Sequence, residues 1–341
     1  TISIFKNLNI DKNDVQRTSL KENILAKSYD FIGLYSEAFK HFSISNEIVQ
    51  KSIKDKFSKD RYLNLIKGKL DLSQNNFIKS DLTKNTYEGP SDPVFLIGFP
   101  RSGTTLLDTI LRSHKSLKVL EEKSLVDELI KKLNQIIGGD LSRLHLLNNN
   151  TILELRNLYF NKRKDLVGFS NKVVYIDKMP LNILYVAELN KIFPKAKFIF
   201  ALRNPYDVVL SCFMQPFVPN DAMSNFFNLE DTVKMYDLVM ELWKRYEEIL
   251  LLDISIVKYE DVVCNFDITI KKLIKFINVN WSEELKKFYL NASNRGIIHT
   301  PSYNQVNMPL YNQSILRWKN YSDKFSNLDL KLQKWIRIFG Y

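Results

Sequence analysis

The stretch VFLIGFPRSGTTL, residues 94–106, joins an apolar run to a glycine-spaced loop and to the beginning of a helix-like segment. A strand, a loop and a helix in this order allow backbone N–H groups and the helix N-terminus to bind an anion. Aligned on the P-loop pattern G-x-x-x-x-G-K-[ST], Thr105 holds the Ser/Thr position, but Thr104 replaces the lysine that reaches the phosphates of a nucleoside triphosphate. The cation of this loop is Arg101 instead. The loop therefore predicts a phosphate site that is not built for a triphosphate.

A second segment with the same character is KFIFALRNPYDVVLS, residues 197–211. Its apolar part predicts a buried strand, and Pro205 suits the first turn of the helix that follows. Arg203 then lies at the carboxyl end of the strand and Ser211 on the helix, so that a guanidinium and a hydroxyl can bind one anion. This second anion site argues against the simpler interpretation that the first loop is only a turn from a strand into a helix.

The two segments together resemble the cofactor motifs of sulfotransferases that use 3′-phosphoadenosine 5′-phosphosulfate (PAPS). F-x-x-G-x-P-R-S-G-T-T-L is similar to their 5′-phosphosulfate loop and R-N-P-x-D-x-x-x-S to their 3′-phosphate motif, above all in the tyrosylprotein-sulfotransferase-like and tetratricopeptide-linked branches. The resemblance covers roughly residues 93–320. It implies transfer of a sulfuryl group from PAPS to an acceptor hydroxyl, with adenosine 3′,5′-bisphosphate as the product. It also implies that the cofactor is bound by Arg101, Ser102, Gly103, Thr104, Thr105, Arg203 and Ser211.

A pair of carboxylates, Glu121 and Glu122, stands where a short strand would enter the next helix. The tyrosylprotein enzymes that the chain resembles carry an acidic pair at this distance from the loop, and its second member is their base. The resemblance therefore implies that Glu122 accepts the proton of the acceptor hydroxyl. The alternative is a carboxylate that complements the dipole at a helix N-terminus, a role that also suits Glu121.

Lys178 follows the strand-like run KVVYI, residues 172–176. A lysine at the carboxyl end of a strand faces the crevice where open α/β sheets bind ligands. In the resembling family this lysine contacts the sulfate-bridging oxygen, so Lys178 and Arg101 are expected to stabilise the leaving phosphosulfate. Asp177, after four apolar residues, also imitates a Walker-B strand. It leaves a P-loop kinase open as an alternative, beside a nucleotide-binding scaffold protein without turnover.

Three further residues gain a role from the resemblance alone. Tyr259 matches a position near the adenine, and Ser302 and Arg317 match residues that fold over the cofactor. Among the four histidines, His299 is a second candidate for the base. No cluster of His, Cys, Asp and Glu has the spacing of metal ligands, so the sequence predicts a reaction without a metal.

Composition and charge bear on the partners of the protein and on its setting. The 341 residues are 45% hydrophobic and carry a net charge of +11, with basic residues spread along the chain rather than clustered. Diffuse charge argues against nucleic-acid binding and favours a polyanionic cofactor or an acidic acceptor. Two cysteines and the lack of a long apolar run predict a cytoplasmic protein without a disulfide framework or a membrane segment. The acceptor, which is a protein tyrosine, a glycan or a small molecule, stays open.

Residues 91–341 are predicted to form the sulfotransferase domain. Strands at 94–97, 173–177, 197–202 and 254–258 alternate with helices in this region. Such alternation predicts an α/β fold, with a P-loop-like parallel sheet flanked by helices.

Residues 1–90 predict an α-helical segment instead. One interpretation is a tetratricopeptide repeat, and the other is an amphipathic helical hairpin that packs on the sulfotransferase domain. Because one repeat cannot bury its own apolar face, either the natural chain continues upstream of Thr1 with more repeats, or this segment docks on the domain. A helical segment of this kind is also a candidate surface for a protein partner. The residues at the spacings of the repeat are Ala26, Tyr29, Gly33, Tyr35, Ala38 and Phe42.

Overall fold

The computed structural model of the chain describes residues 2–11, 13–74, 87, 89–293, 310 and 312–341. The chain divides into two compact units. The first unit comprises Thr1–Leu65, Asn204–Leu238 and Gln313–Tyr341, and the second comprises Ile66–Arg203 and Val239–Asn312. No helix in the described ranges combines the length and the apolar character that crossing a bilayer requires.

The second unit is built on a five-stranded sheet in which every pair of neighbouring strands is parallel. The order across the sheet is β2-β3-β1-β4-β5, which confirms the parallel α/β sheet predicted from the sequence. The strands in chain order are β1 (Val94–Gly98), β2 (Leu117–Glu121), β3 (Val174–Lys178), β4 (Lys197–Leu202) and β5 (Asp253–Lys258).

Helices connect each strand to the next, as parallel strands require. Short 3₁₀ segments lie at Leu141–Leu146, Pro180–Tyr185, Met223–Phe226, Glu283–Lys287 and Arg317–Phe325. The described α-helices are α1 (Ile2–Asn7), α2 (Val15–Phe31), α3 (Tyr35–Ile53), α4 (Lys59–Gln74), α5 (Thr104–Arg112), α6 (Leu125–Ile137), α7 (Asn149–Val167), α8 (Val186–Ile192), α9 (Pro205–Phe213), α10 (Leu229–Ile249), α11 (Tyr259–Cys264), α12 (Phe266–Phe276), α13 (Phe288–Ser293) and α14 (Asp329–Phe339).

The two central strands, β1 and β4, owe their position to their uniformly apolar sequences. Every residue of β1 is buried, and so is every residue of β4 after Lys197. Burial of this kind is typical of a parallel strand that is covered on both faces. The edge strand β5 differs, since within it only Ser255 and Val257 are buried. The continuous apolar runs that predicted β1 and β4 therefore form the middle of the core.

The sheet order also creates a crevice at the carboxyl ends of the strands. β1 pairs with β3 on one side and with β4 on the other, so the direction in which the chain winds reverses beside β1. Open α/β sheets bind their ligands outside the carboxyl ends of the strands at such a switch point. Gly98, Glu121 and Lys178 are the last residues of β1, β2 and β3. The fold therefore brings the phosphate loop, the pair of glutamates and Lys178 to the carboxyl ends of neighbouring strands.

In the first unit, α2 and α3 form a helical hairpin around Gly33, which has a φ of +80°. Its packing partners include later residues of the same unit, since Nδ2 of Asn46 on α3 donates a hydrogen bond to the carbonyl oxygen of Phe213 on α9 at 2.9 Å. The tetratricopeptide interpretation, the division at residue 90 and the protein partner remain predictions. The buried positions of the predicted repeat are Ala26, Tyr29, Ala38 and Phe42.

Candidate active site

The loop after β1 follows a backbone path that requires glycine at two positions. Gly98 and Gly103 have φ angles of +158° and +97°. A Cβ atom on Gly98 would lie 2.6 Å from the carbonyl oxygen of Ala201, and a Cβ atom on Gly103 would lie 3.0 Å from Cδ2 of Tyr259. Neither position accommodates a side chain unless its surroundings move. The loop is therefore packed closely against β4 and against the Tyr259 ring.

The residues between the two glycines fit a phosphate. Arg101 has a left-handed backbone, with a φ of +70°, which is uncommon outside glycine. Oγ of Ser102 is buried and has no hydrogen-bond partner in the described part of the chain. α5 begins directly after Gly103, which provides no side chain to cap the first N–H groups of the helix. A buried hydroxyl and a helix N-terminus of this kind are donors suited to an anion.

At the ends of β2 and β3, the buried ammonium of Lys178 lies among three carboxylates. Its Nζ is 2.9 Å from Oε1 of Glu122, 3.3 Å from Oε1 of Glu121 and 3.9 Å from Oδ2 of Asp108. Asp108 on α5 is in turn paired with Arg112, whose Nε lies 2.8 Å from Oδ1. Only the Glu122 side chain is substantially accessible, at 41% exposure, against 15% for Glu121 and 0% for Asp108. Of the three carboxylates, Glu122 is therefore the one most accessible to solvent.

The backbone of Glu122 is as unusual as its side chain. Its φ is +48°, and its N–H donates a hydrogen bond to the carbonyl oxygen of Lys178 at 2.8 Å. A left-handed conformation costs a residue with a Cβ roughly 1–2 kcal/mol, and such strain concentrates at functional sites. The described non-glycine residues with a positive φ are Arg101, Glu122, Asn278 and Leu316. Arg101 and Glu122, which are predicted catalytic residues, are thus two of the four described non-glycine residues with a positive φ.

Asp177, the candidate Walker-B carboxylate, faces away from this cluster because side chains alternate along a strand. Its Oδ2 accepts a hydrogen bond from the Tyr159 hydroxyl at 3.0 Å, inside the core. Burial raises the pKa of Asp177 from 3.8 to about 7, and the hydrogen bond from Tyr159 opposes this shift. A carboxyl group in this setting does not resemble a metal ligand at the crevice. Within the described ranges, no three His, Cys, Asp or Glu side chains are grouped so that they could hold a metal ion.

Arg203 and Tyr259 lie beside the loop. NH1 of Arg203 donates a hydrogen bond to the carbonyl oxygen of Arg101 at 3.3 Å, and its guanidinium carbon lies 4.8 Å from the centre of the Tyr259 ring. The structure therefore brings Arg203 and Tyr259 together with the phosphate loop. Ser211 lies on α9, which belongs to the first unit, and its role remains a prediction. Ser302 and the second base candidate, His299, lie outside the described residues.

The segment around Arg317 is held by two carboxylates within the first unit. The N–H groups of Leu316 and Trp318 donate hydrogen bonds to Asp207 at 2.7 and 2.9 Å. The Arg317 guanidinium forms an ion pair with Asp30 at the end of α2. Asp207, the acidic residue of the R-N-P-x-D motif, therefore anchors the backbone on both sides of Arg317.

Reasoning from the sequence gave no role to Asp108 or to Asp207. The i, i+4 spacing of Asp108 and Arg112 signals an ion pair on a helix, but it does not indicate that Lys178 lies nearby. Asp207 lies in the R-N-P-x-D-x-x-x-S motif, in which Arg203 and Ser211 are the predicted phosphate ligands. Both residues act by holding other groups in place, and such a role depends on tertiary contacts.

Comparison with known proteins places this arrangement in a family. A family model described as the sulfotransferase family matches residues 93–283, which is more than half of the chain. The chain therefore belongs to the sulfotransferase family, and the predicted resemblance is confirmed.

Two curated proteins and one solved structure illustrate this similarity. An uncharacterized protein of Aquifex aeolicus (strain VF5) is 24% identical over 295 residues, which are 84% of this chain and 38% of that protein. A protein-tyrosine sulfotransferase of Drosophila melanogaster is 22% identical over 207 residues, which are 56% of this chain and 38% of that protein. This chain thus spans less than half the length of both relatives.

The solved structure is the sulfotransferase domain of the olefin synthase from Synechococcus PCC 7002. It has a TM-score of 0.52 and 20% sequence identity, and the match covers 76% of this chain and 98% of that domain. At this level of identity the likeness shows the fold alone, and it confirms the predicted α/β architecture.

Proposed function

We propose that this protein transfers a sulfuryl group from PAPS to the hydroxyl of an acceptor, with Glu122 as the base. The observation that carries the proposal is the contact of Lys178 Nζ with Glu122 Oε1, 2.9 Å long, at the same edge of the sheet as the phosphate-fitting loop. Transfer of a sulfuryl group between two oxygens needs both a base and a cation. Glu122 provides an accessible carboxylate, and Lys178 provides the ammonium beside it. One removes a proton, and the other stabilises the leaving oxygen.

The cofactor, which supplies an activated sulfuryl group, fits the residues of the loop. In the proposal, residues 101–105 bind its 5′-phosphosulfate through backbone N–H groups, hydroxyls and the Arg101 guanidinium. Arg203 and Ser211 bind the 3′-phosphate, and Tyr259 lies near the adenine. The proposal also assigns Ser302 and Arg317 to the cofactor, on the resemblance alone. The support for this assignment is the proximity of Arg203 and Tyr259 to the loop, together with the buried Ser102 hydroxyl.

Lys178 has a donor to spare for the leaving group. An ammonium carries three N–H donors, and in the described part of the chain two of them serve Glu121 and Glu122. The third can donate to an oxygen of the leaving phosphate, where negative charge grows as the sulfur–oxygen bond breaks. Glu121 and Asp108 then hold the ammonium in place, while Glu122 accepts the proton of the acceptor.

We also propose that the reaction needs no metal. In kinases, Mg²⁺ neutralises the charge that develops on the transferred and leaving groups. A sulfuryl group carries less charge than a γ-phosphoryl group, so Lys178 and Arg101 can fill this role. The kinase alternative relied on Asp177, and that carboxyl group is buried against Tyr159.

The acceptor hydroxyl belongs to a protein tyrosine, a glycan or a small molecule. The name of the Drosophila relative favours testing protein tyrosine first. A net charge of +11 favours an acidic acceptor, such as a tyrosine flanked by carboxylates. Cys212 and Cys264 are both free thiols, which supports a reducing compartment as the setting.

Two measurements test the proposal. Calorimetry compares adenosine 3′,5′-bisphosphate with ATP–Mg²⁺, and we expect binding of the bisphosphate and much weaker binding of ATP–Mg²⁺. Transfer of radioactive sulfate from PAPS is then measured with an acidic tyrosine peptide, a glycan and a phenol. Tight binding of ATP–Mg²⁺ alone would support a kinase. Bisphosphate binding without transfer to any acceptor would support a scaffold protein.

A further inference from the structure

A large pocket lies at the amino ends of the strands, at the end of the sheet opposite to the candidate active site. Its volume is about 1000 Å³. The segments that line it are residues 89–93, 114–116, 169–175 and 278–282. The first three of these segments precede or open β1, β2 and β3, so the pocket lies at the amino ends of the strands whose carboxyl ends carry Gly98, Glu121 and Lys178.

Arg163 is a buried cation that lines this pocket, and no anion pairs with it in the described part of the chain. Arg163 on α7 lines the pocket and is only 3% exposed. In the described part of the chain, Nε of Arg163 has no hydrogen-bond partner and no carboxylate forms an ion pair with the guanidinium. Its guanidinium carbon lies 4.2 Å from the centre of the Tyr175 ring and 4.9 Å from that of Phe160. Ring faces attract a cation, but they do not replace the anion that a buried guanidinium requires.

The other charged groups of the pocket do not neutralise Arg163. Lys115 and Lys172 line it as well, and both are exposed. Asp92 is the carboxylate among the lining residues, and it is already engaged. Its Oδ1 lies 2.7 Å from NH1 of Arg156, and its Oδ2 accepts a hydrogen bond from the N–H of Lys195 at 2.8 Å. The pocket therefore has an excess of positive charge.

We propose that this pocket binds a small organic oxyanion, with Arg163 holding its carboxylate or phosphate group. The planar fork of a guanidinium matches both groups through paired hydrogen bonds. Phe169, Tyr175 and Trp281 supply apolar surface for the body of the ligand, and the volume is that of a small-molecule site. This site is separate from the candidate active site, and the inference does not rest on sulfuryl transfer.

The test uses three probes that share a phenyl ring and differ in the group attached to it: phenyl phosphate, phenylacetate and neutral benzyl alcohol. Binding to the full chain is measured by calorimetry in the presence of excess adenosine 3′,5′-bisphosphate, so that probes do not enter the phosphate loop. We expect at least one anionic probe to bind at least tenfold more tightly than benzyl alcohol, and the stronger of the two identifies the preferred oxyanion. A preference of less than tenfold for both anions over benzyl alcohol, or no binding of either anion, overturns the proposal.

Two variants locate the site. Arg163→Met keeps the apolar stem of the side chain and removes the guanidinium. It should lower the affinity for the anionic probe at least tenfold and leave bisphosphate binding unchanged. Lys172→Glu reverses an exposed charge, and it should weaken binding of the anionic probe several-fold without affecting binding of benzyl alcohol. It also keeps the test valid if Arg163→Met does not fold. Wild-type affinity for the anion in a folded Arg163→Met protein, or in Lys172→Glu, contradicts the proposal.

Discussion

Lys178 and Glu122 are joined twice, once through their side chains and once through their backbones. Nζ of Lys178 lies 2.9 Å from Oε1 of Glu122, and the N–H of Glu122 donates to the carbonyl oxygen of Lys178 at 2.8 Å. The second link extends the pairing of β2 with β3, in which Glu121 stands opposite Lys178. The register of the sheet therefore sets the distance between the proposed base and the ammonium that is proposed to stabilise the leaving group. Substitutions at either residue can be designed to keep this backbone link.

The proposed base predicts a specific loss of turnover. Glu122→Gln keeps the shape of the side chain but cannot accept a proton, so the rate of transfer should fall roughly 10²–10⁴-fold. Calorimetry should show nearly unchanged affinity for adenosine 3′,5′-bisphosphate. Glu121→Gln is the matched control, and we expect a mild effect because the Gln oxygen can still accept the hydrogen bond from Lys178. If Glu122→Gln stays active while His299→Ala loses activity, the base has been assigned to the wrong residue.

The proposed 3′-phosphate site predicts nucleotide selectivity. The wild-type protein should bind adenosine 3′,5′-bisphosphate much more tightly than 5′-AMP, because Arg203 adds a charge-assisted contact of about 1.5–3 kcal/mol. Arg203→Ala should remove most of this preference in calorimetric titrations. Arg337→Ala, an exposed arginine on α14, should leave it intact. Equal affinities of the wild-type protein for the two nucleotides would be incompatible with the proposed cofactor.

The proposed role of Lys178 predicts an effect on the transition state. Lys178→Met keeps the apolar stem and removes the ammonium, so single-turnover transfer should slow by about 10²–10³-fold. Binding of the bisphosphate product should weaken far less, because charge on the bridging oxygen develops only during bond breaking. Lys164→Met, on the exposed side of α7, is the control. A loss of affinity as large as the loss of rate would instead assign Lys178 to ground-state binding.

Independence from metal is checked with a chelator. Because Lys178 and Arg101 are proposed to supply the positive charge, EDTA should leave the rate of the wild-type enzyme unchanged. Activity that EDTA abolishes and Mg²⁺ restores would point to Asp177 as a metal ligand after all.

The buried carboxyl of Asp177 predicts how stability depends on pH. Its pKa is about 7 in the folded protein and 3.8 in an unperturbed carboxyl. Between these values the folded protein retains a proton that the unfolded chain releases, so the free energy of unfolding falls as pH rises from about 4 to about 7. Asp177→Asn should remove this slope, and at pH 8 it should be more stable than the wild-type protein by up to about 4 kcal/mol.

Urea unfolding at pH 5 and pH 8 measures this difference. Asn can still accept the Tyr159 hydrogen bond, so that contact is kept in the variant. Asp323→Asn, at an exposed carboxylate, should follow the wild-type protein at both pH values. The same slope in Asp177→Asn and in the wild-type protein would show that Asp177 titrates normally.

The sequence predicted the strands and the loop because their signals are local. The apolar runs of β1 and β4 are continuous, and the glycines beside Arg101 mark a backbone that other residues rarely adopt. Such local patterns do not predict which helices and strands contact each other. Nothing local indicates that β2 pairs with β3, and this pairing is what brings Glu122 to Lys178.

The ion pair of Arg317 with Asp30 was unpredictable for the same reason. The two residues are 287 positions apart, and either one alone is an ordinary surface charge. The resemblance to sulfotransferases predicts that Arg317 contacts the cofactor, whereas its carboxylate partner on α2 is seen only in the folded structure.

The first compact unit draws on Thr1–Leu65, Asn204–Leu238 and Gln313–Tyr341, and this has a consequence for synthesis. A chain grows at about 5–20 residues per second, so on the order of ten to fifty seconds separate the first of these segments from the last. During that interval Phe39 and Tyr35 on α3 lack their ring partners Phe213 and Tyr321. We expect α3 to reach its final packing only after residues 313–341 have been synthesised.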